Sequence, residues 1–260
     1  MSVMSAPFPL TIQVSRLANV DYVTLYRPEV RNAFNEQVIA EMTSWAERAA
    51  TDRELRAVVI SGAGPSFCAG ADLAWMAKMA GYSREENLRD ARAAAGMFAA
   101  IDRLPVPVIA QIHGAALGGG AGLAAVADIA VASEDAMFGF TEVKLGLIPA
   151  VIAPYVVAKI GQSAARELFI TGWRFDASHA KEIGLVHAVV QPGDLTQTVN
   201  KYLQELARNG PEAMAAAKAL LRRIANRTID DVVPVTAEAI AERRVSAEAQ
   251  KLMKGFLEKK

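Results

Sequence analysis

A run of glycines at residues 114–122, GAALGGGAG, directly follows the apolar segment PVPVIAQIH. This order predicts a buried strand that leads through a loop into the start of a helix. Because Gly118, Gly119 and Gly120 have no side chains, a ligand can approach the backbone closely and the N–H groups at the helix start stay unpaired. Such N–H groups hold a negatively charged oxygen. Tight strand-to-helix packing calls for the same small residues, so the glycines alone leave both interpretations open.

A second loop of similar composition follows residues 56–61, RAVVIS, which have the pattern of a buried strand. The loop reads GAGPSFCAGADL, and an amphipathic helix is predicted to start near Asp72. An oxyanion hole needs two donors that converge on one oxygen, and each donor typically lowers the barrier by a few kcal/mol. We therefore predict that each loop supplies one N–H group, from Ala71 and from Gly119.

Four segments carry a family resemblance that covers nearly the whole chain. They are RPEVRNAFN at 27–35, CAGADL at 68–73, GAALGGG at 114–120 and FGFTEVKLGLIPA at 138–150. They resemble the crotonase superfamily, the enoyl-CoA hydratases and isomerases. The resemblance implies an α/β fold, a spiral of ββα units with a helical C-terminal region. It also implies an oxyanion hole for the thioester carbonyl of an acyl-CoA, at positions that match Ala71 and Gly119, and no cofactor other than the coenzyme A of the substrate.

Glu142 is the residue to which the resemblance assigns acid/base catalysis. Hydratases of the family use two glutamates, and the second, in FGxxE, matches Glu142, whose apolar neighbours Phe138 and Phe140 would raise the pKa of its carboxyl group. The first family glutamate lies in GGGxE, but this chain has GGGAG, so Gly122 stands there. This chain thus departs from hydration by two carboxylates. A single glutamate suits an isomerase that moves a double bond from position 3 into conjugation, and isomerases of the superfamily also lack the GGGxE glutamate, so position 122 alone does not separate hydration from isomerisation.

The segment LGLIPAVIAPYV, together with GGGAG, resembles the branch of methylglutaconyl-CoA and isohexenylglutaconyl-CoA hydratases of leucine and terpenoid breakdown. Our expectation is therefore an enoyl-CoA hydratase for which a branched, carboxylated substrate such as 3-methylglutaconyl-CoA is one option. A buried carboxylate requires a nearby cation, for which Arg31 and Lys144 are candidates. Arg31 has a second interpretation, as a contact to the phosphate or ribose of coenzyme A.

Further contacts to substrate or coenzyme A are predicted along both loops. Asp72 is expected to cap the helix after Ala71 and thereby to orient its N–H group. The predicted binding residues are Arg31, Ala69, Gly70, Asp72, Leu73, Gly118 and Gly122.

Composition agrees with one globular domain and a helical appendage, because a chain of 260 residues with 52% hydrophobic content can bury a sizeable core. Lysine and arginine total 28 against 28 acidic residues, so the sequence gives no electrostatic reason to expect nucleic-acid binding. An RNA-binding or scaffold protein is retained as the non-enzymatic alternative. The single cysteine, Cys68, is expected to pack rather than react. The three histidines have no metal-ligand spacing, and we expect no metal site, no membrane segment and a cytoplasmic location.

The elements that must position these residues follow from hydrophobic periodicity. A helix is predicted over residues 35–50, with Asn35 as its N-cap and an apolar face of Val38, Met42, Trp45 and Ala49. A subdomain boundary near 192 divides the chain into a spiral core (1–192) and a helical trimerisation region (193–260). The resemblance implies a trimer or a dimer of trimers. Strands are predicted near 10–15, 20–26, 56–61, 106–112, 128–132 and 186–190.

Overall fold

Two β-sheets and ten α-helices make up the part of the chain that the computed structural model describes, residues 10–258. The strands are β1 (Ile12–Leu17), β2 (Val20–Leu25), β3 (Ala57–Gly62), β4 (Val108–Ile112), β5 (Ala115–Leu117), β6 (Ile129–Ser133), β7 (Met137–Gly139), β8 (Arg174–Asp176) and β9 (Ala188–Val190). The helices are α1 (Glu36–Thr51), α2 (Leu73–Met79), α3 (Arg84–Asp102), α4 (Gly119–Val126), α5 (Ala153–Thr171), α6 (Ala177–Glu182), α7 (Leu195–Leu206), α8 (Pro211–Ile224), α9 (Ile229–Val245) and α10 (Ala247–Leu257).

The larger sheet has six strands in the order β1-β2-β3-β4-β6-β9. Strands β1 and β2 are antiparallel, and every later pair is parallel. All six strands predicted from the sequence are present, and together they form this sheet. Its central strand β3 is buried on both faces, because Val58 and Ile60 pack into one apolar cluster and Val59 into another. Burial on both faces explains why RAVVIS contains a continuous apolar run rather than an alternating pattern.

The smaller sheet, of order β5-β7-β8, was missed by the sequence prediction. Each of its strands is three residues long, too short to show a periodic pattern. Strand β5 lies inside the segment GAALGGGAG, where the sequence indicated only a loop. This sheet carries both the glycine segment and the chain that leads to Glu142, because β5 and β7 pair in parallel.

Helix α1 has the N-cap and the buried face that its sequence predicts. The Asn35 side chain accepts a hydrogen bond from the amide of Val38 at 2.9 Å. Val38, Met42, Trp45 and Ala49 are buried in the main core, against the sheet and the helices that cover it. The helix therefore serves as core, and its start fixes the position of the preceding residue, Phe34.

Helices α8, α9 and α10 contain no buried residue, in contrast to α7, in which Leu195 and Val199 pack against the sheet. Judged by burial, the helices change from core to peripheral at Pro211, which is later in the chain than the predicted subdomain boundary near 192. The boundary near 192 stays a prediction. Residues 1–9 and 259–260 of the two predicted units lie outside the described residues. Among residues 10–258, no helix has the length and apolar character needed to cross a bilayer.

Candidate active site

The first predicted donor loop runs beside strand β5 and is hydrogen-bonded to it. The Cys68 amide donates to the carbonyl oxygen of Ala115 at 2.8 Å, and the Leu117 amide donates to the carbonyl oxygen of Cys68 at 2.9 Å. Gly70 has φ of +100°, and a Cβ there would lie 3.3 Å from the carbonyl oxygen of Leu117. Glycine at 70 thus allows the loop to turn away from β5 and to reach Ala71.

Ala71 lies between two residues whose backbone groups are paired with Phe34. The Phe34 amide donates to the carbonyl oxygen of Gly70 at 2.7 Å, and the Asp72 amide donates to the carbonyl oxygen of Phe34 at 2.8 Å. Successive backbone groups of an extended chain point to opposite sides, so the Ala71 N–H points away from Phe34. Within residues 10–258 it has no backbone acceptor, which leaves it available to a ligand.

Asp72 fixes the direction of this loop through three hydrogen bonds. Its side chain accepts from the amides of Ala74 and Trp75 at the start of α2, as predicted for an N-cap, and from Arg27 Nη2 at 2.7 Å. Burial opposes ionisation of Asp72, but these hydrogen bonds outweigh it and hold the pKa of the carboxyl group below its usual value. Arg27 also donates to the carbonyl oxygen of Ala33 at 2.6 Å. One guanidinium therefore connects Asp72 in the first donor loop to the segment that precedes α1.

The second predicted donor, Gly119, is the first residue of α4. Gly118 precedes it with φ of +49°, and the Gly118 amide donates to the carbonyl oxygen of Gly139 on β7 at 2.9 Å. As the first residue of a helix, Gly119 has an N–H without an intrahelical acceptor. A Cβ at 119 would lie only 2.5 Å from Phe34 Cδ2, so the ring of Phe34 packs directly on this glycine. Phe34 therefore contacts both donor loops.

The far end of α4 is held by a partly buried lysine. Lys159 on α5 donates from Nζ to the carbonyl oxygens of Ala124 (2.9 Å) and Ala127 (2.6 Å), which lie at the C-terminal end of α4. A cation at this end is favoured by the helix dipole and satisfies carbonyl groups that the helix leaves unpaired. Burial lowers the pKa of Lys159 to about 8, and the nearby Asp128 offsets this only in part.

Glu142 begins a 3-10 turn, Glu142–Leu145, three residues after the end of β7 at Gly139. Its carboxylate lies beside the glycine loop, because a Cβ at Gly118 would be 3.3 Å from Glu142 Oε1. The second carboxylate oxygen, Oε2, is buried and has no hydrogen-bond partner among the described residues. Burial raises the pKa of Glu142, and a hydrogen bond with its own backbone offsets this only in part. A carboxyl group with a raised pKa and a free oxygen is suited to proton transfer.

One cavity of about 170 Å³ brings Ala71, Gly119 and Glu142 together. Its other walls are apolar, and Glu142 is the only ionisable side chain among the described residues that line it. The remaining lining residues are Phe34, Ile39, Trp75, Ala94, Met97, Phe98, Ile148, Pro149, Ala150, Val151 and Ile152. Two residues with available N–H groups and one residue with a carboxyl group therefore line the same apolar space, which is an arrangement that can stabilise an enolate and move a proton.

Other residues predicted to bind substrate lie outside this cavity. Arg31 and Lys144 are exposed, and Leu73 is 82% exposed beside the first loop. The Ala69 amide donates to the carbonyl oxygen of Arg31 at 2.9 Å, so the backbone of Arg31 supports the loop. Gly122 is buried in α4 without lining the cavity. Contacts of these residues to coenzyme A stay predictions.

Cys68 is buried, and burial raises the pKa of its thiol to about 12. A thiol with this pKa is protonated at neutral pH and is a poor nucleophile. The expectation that Cys68 packs in the core is confirmed by its burial, and its lack of reactivity stays a prediction.

Three residues of this site were missed by the sequence analysis. Arg27, Phe34 and Ile152 hold or line the cavity, yet the sequence shows them only as parts of RPEVRNAFN and IPAVIAPYV. Their contacts join segments more than 30 residues apart, so no local spacing reveals them. The single available signal was the presence of Phe34 directly before the capping residue Asn35.

Comparison with known proteins gives a consistent result. Residues 15–260 match the protein family described as enoyl-CoA hydratase/isomerase. The short-chain-enoyl-CoA hydratase of Clostridium acetobutylicum is 33% identical over 243 residues, 93% of this chain and 92% of that relative. The 2,3-dehydroadipyl-CoA hydratase of Escherichia coli is 36% identical over 212 residues, 81% of each chain. The crystal structure of an enoyl-CoA hydratase from Shewanella pealeana has a TM-score of 0.92 and 38% identity, over 96% of this chain and 94% of that one.

Proposed function

The chain belongs to the enoyl-CoA hydratase/isomerase family, and from that premise we propose that it is an enoyl-CoA hydratase with Glu142 as its single acid/base. The observation that carries the proposal is the common cavity, which Glu142 lines together with Ala71 and Gly119, the residues of the two available N–H groups. The substrate is a 2-enoyl thioester of coenzyme A. The reaction needs no cofactor other than the coenzyme A that the substrate brings.

The proposed mechanism assigns both proton transfers to one carboxyl group. The Glu142 carboxylate takes a proton from a water molecule whose oxygen bonds to C3, and the C2=C3 electron pair moves towards the thioester oxygen. The N–H groups of Ala71 and Gly119 stabilise this enolate. The protonated Glu142 then gives its proton to C2, so that one water molecule has been added. Burial supports the first step, because a carboxyl group with a raised pKa is a stronger base when ionised.

The apolar lining favours an acyl group without a charge. A carboxylate on the acyl chain would lose its hydration in the cavity, and neither Arg31 nor Lys144 lines the cavity to compensate for that loss. We therefore propose an apolar enoyl chain in preference to the carboxylated one that the sequence also suggested.

Isomerisation is the second candidate, and one observation favours it. Glu142 is the only ionisable group among the described residues that line the cavity, so no second group there activates water. In this reaction Glu142 removes a proton from C2 of a 3-enoyl-CoA and returns it to C4, which places the double bond in conjugation with the thioester.

The test is turnover of matched 2-enoyl and 3-enoyl thioesters by the wild type and by Glu142→Gln. Hydration removes the absorbance of the conjugated thioester and adds the mass of water, whereas isomerisation creates that absorbance without a change in mass. We expect hydration, faster for crotonyl-CoA than for 3-methylglutaconyl-CoA, and a loss of about 10²–10⁴-fold in kcat for Glu142→Gln. An unchanged kcat in the glutamine variant would remove Glu142 from the mechanism. No turnover of any enoyl thioester, combined with salt-sensitive RNA binding, would favour the non-enzymatic alternative.

A further inference from the structure

Position 122 in helix α4 has no room for any side chain. A Cβ there would lie 2.3 Å from Ile152 Cγ2 and 3.1 Å from Phe98 Cε1. Both distances are below ordinary van der Waals contact, and Ile152 is only 3% exposed. The two bulky side chains therefore fill the space that a residue at 122 would otherwise use.

Ile152 and Phe98 also separate Gly122 from the cavity. Both of them line it, together with Glu142, and Gly122 does not. Phe98 makes an edge contact with Phe34, with ring centroids 6.4 Å apart, so it is itself packed against the donor loops. The wall of the cavity at this place is thus made of Ile152 and Phe98 and carries no polar group.

The position of Ile152 is fixed by the backbone around it. It directly precedes α5, and its carbonyl oxygen accepts hydrogen bonds from the amides of Tyr155 and Val156, both at 3.1 Å. A β-branched side chain has few χ1 rotamers, so a fixed backbone also fixes the place of Cγ2. The cavity wall at this place therefore changes shape only when Ile152 is replaced by another residue.

We propose that Ile152 is a specificity-determining residue, whose side chain closes the cavity beside Gly122 and limits the acyl group to unbranched, uncharged chains. This inference rests on the proposed function, because it concerns the substrate class of the same site. The side chain removes the volume that a branch of the acyl chain would need. It also leaves no space for a second carboxyl group at 122, so that proton transfer is confined to Glu142.

Binding of saturated acyl-CoA thioesters tests the proposal without turnover. Butyryl-CoA and its branched relative isovaleryl-CoA are titrated into the wild type and into Ile152→Ala by calorimetry. We expect the ratio of the two Kd values to shift by about 10-fold in favour of the branched chain when the wall is opened, since each methyl-sized group in an apolar pocket discriminates by roughly 10–200-fold. The matched control is Ile148→Ala, which removes the same atoms from another part of the cavity lining. An equal shift in both variants, or none in Ile152→Ala, would overturn the assignment.

A second measurement tests the contact itself. Gly122→Ala should lower Tm, because its Cβ meets Ile152 Cγ2, and it should lower Tm less when it is added to Ile152→Ala, which lacks that atom. If Gly122→Ala lowers Tm equally in both backgrounds, Ile152 does not fill this space and the inference fails. Neither measurement involves hydration. If the protein turned over no enoyl thioester, the proposed function would be contradicted, but the two measurements would still test whether Ile152 limits the shape of the bound acyl chain.

Discussion

Glu142 holds a carboxyl group in surroundings that oppose its ionisation. Burial raises its pKa in the folded chain above the value in the unfolded chain. At pH values between the pKa of the unfolded chain and that of the folded chain, the native state binds more protons than the unfolded state. The free energy of unfolding therefore falls as pH rises through that interval. Ionisation of Glu142, which the proposed mechanism requires, therefore destabilises the folded state. Active sites commonly show this conflict between stability and chemistry.

We predict that Glu142→Gln is stabilised relative to the wild type at pH 8 and much less so at pH 4, because the amide carries no charge at either pH. Urea unfolding at both pH values and at one fixed protein concentration measures the difference. Glu47→Gln, at an exposed position of α1, is the matched control, because it removes a carboxyl group that is not buried. If the advantage of Glu142→Gln were the same at both pH values, ionisation of Glu142 would not oppose folding.

At the scale of elements, the site depends on pairings between segments that are distant in the chain. Strand β5 binds both the first donor loop, through Cys68, and the segment before Glu142, through β7. The sequence predicted the six strands of the larger sheet, the capped helix α1 and the three residues that line the cavity together, Ala71, Gly119 and Glu142, because each has a local pattern or a motif. It missed β5, β7 and β8, since their pairing partners rather than their own residues make them strands. The role of Phe34 at the site was not predicted for the same reason.

Phe34 is the residue through which the two donor loops are held at one separation. Its backbone pairs with Gly70 and Asp72 on either side of Ala71, and its ring packs on Gly119. An oxyanion hole works only when both donors point at one oxygen. A small shift of either loop is therefore expected to lower kcat more than the affinity for substrate.

We predict that Phe34→Ala lowers kcat by about 10–100-fold with a smaller change in KM, and that Phe34→Leu restores most of the rate by refilling the space at Gly119. Steady-state kinetics on crotonyl-CoA, with circular dichroism to confirm folding, provides the measurement. Ile39→Ala is the matched control, because Ile39 is as buried and lines the same cavity, while its amide pairs with Asn35 and not with a donor loop. A drop in kcat as large in Ile39→Ala would mean that Phe34 acts through cavity volume alone.

At the scale of the whole molecule, the three C-terminal helices lack the burial that ordinarily stabilises a helix. None of the residues in α8, α9 and α10 is buried within one chain. Several large apolar side chains on these helices are exposed, among them Leu221, Val233, Val245 and Leu252. Helices of 11 to 17 residues owe most of their stability to packing of an apolar face, so these helices need a partner surface.

We propose that the partner surface belongs to further copies of this chain, as the family resemblance implies for a trimer or a dimer of trimers. A net charge of zero gives little repulsion between identical chains and favours such self-association. The helices would then gain burial only in the assembly, which makes their folding dependent on protein concentration.

Sedimentation at micromolar concentration is expected to give a mass of three or six chains for the wild type. Glutamates at Leu221 and Leu252 would place charges in the apolar contact, where they lack partners, and we expect this double variant to sediment mainly as single chains. The control carries glutamates at Val14 and Leu17, which are exposed on β1, far along the chain from the C-terminal helices, and should keep the wild-type mass. A single-chain mass for the wild type, or an assembly that survives glutamates at 221 and 252 as well as those at 14 and 17, would mean that α8–α10 do not form the contact between subunits.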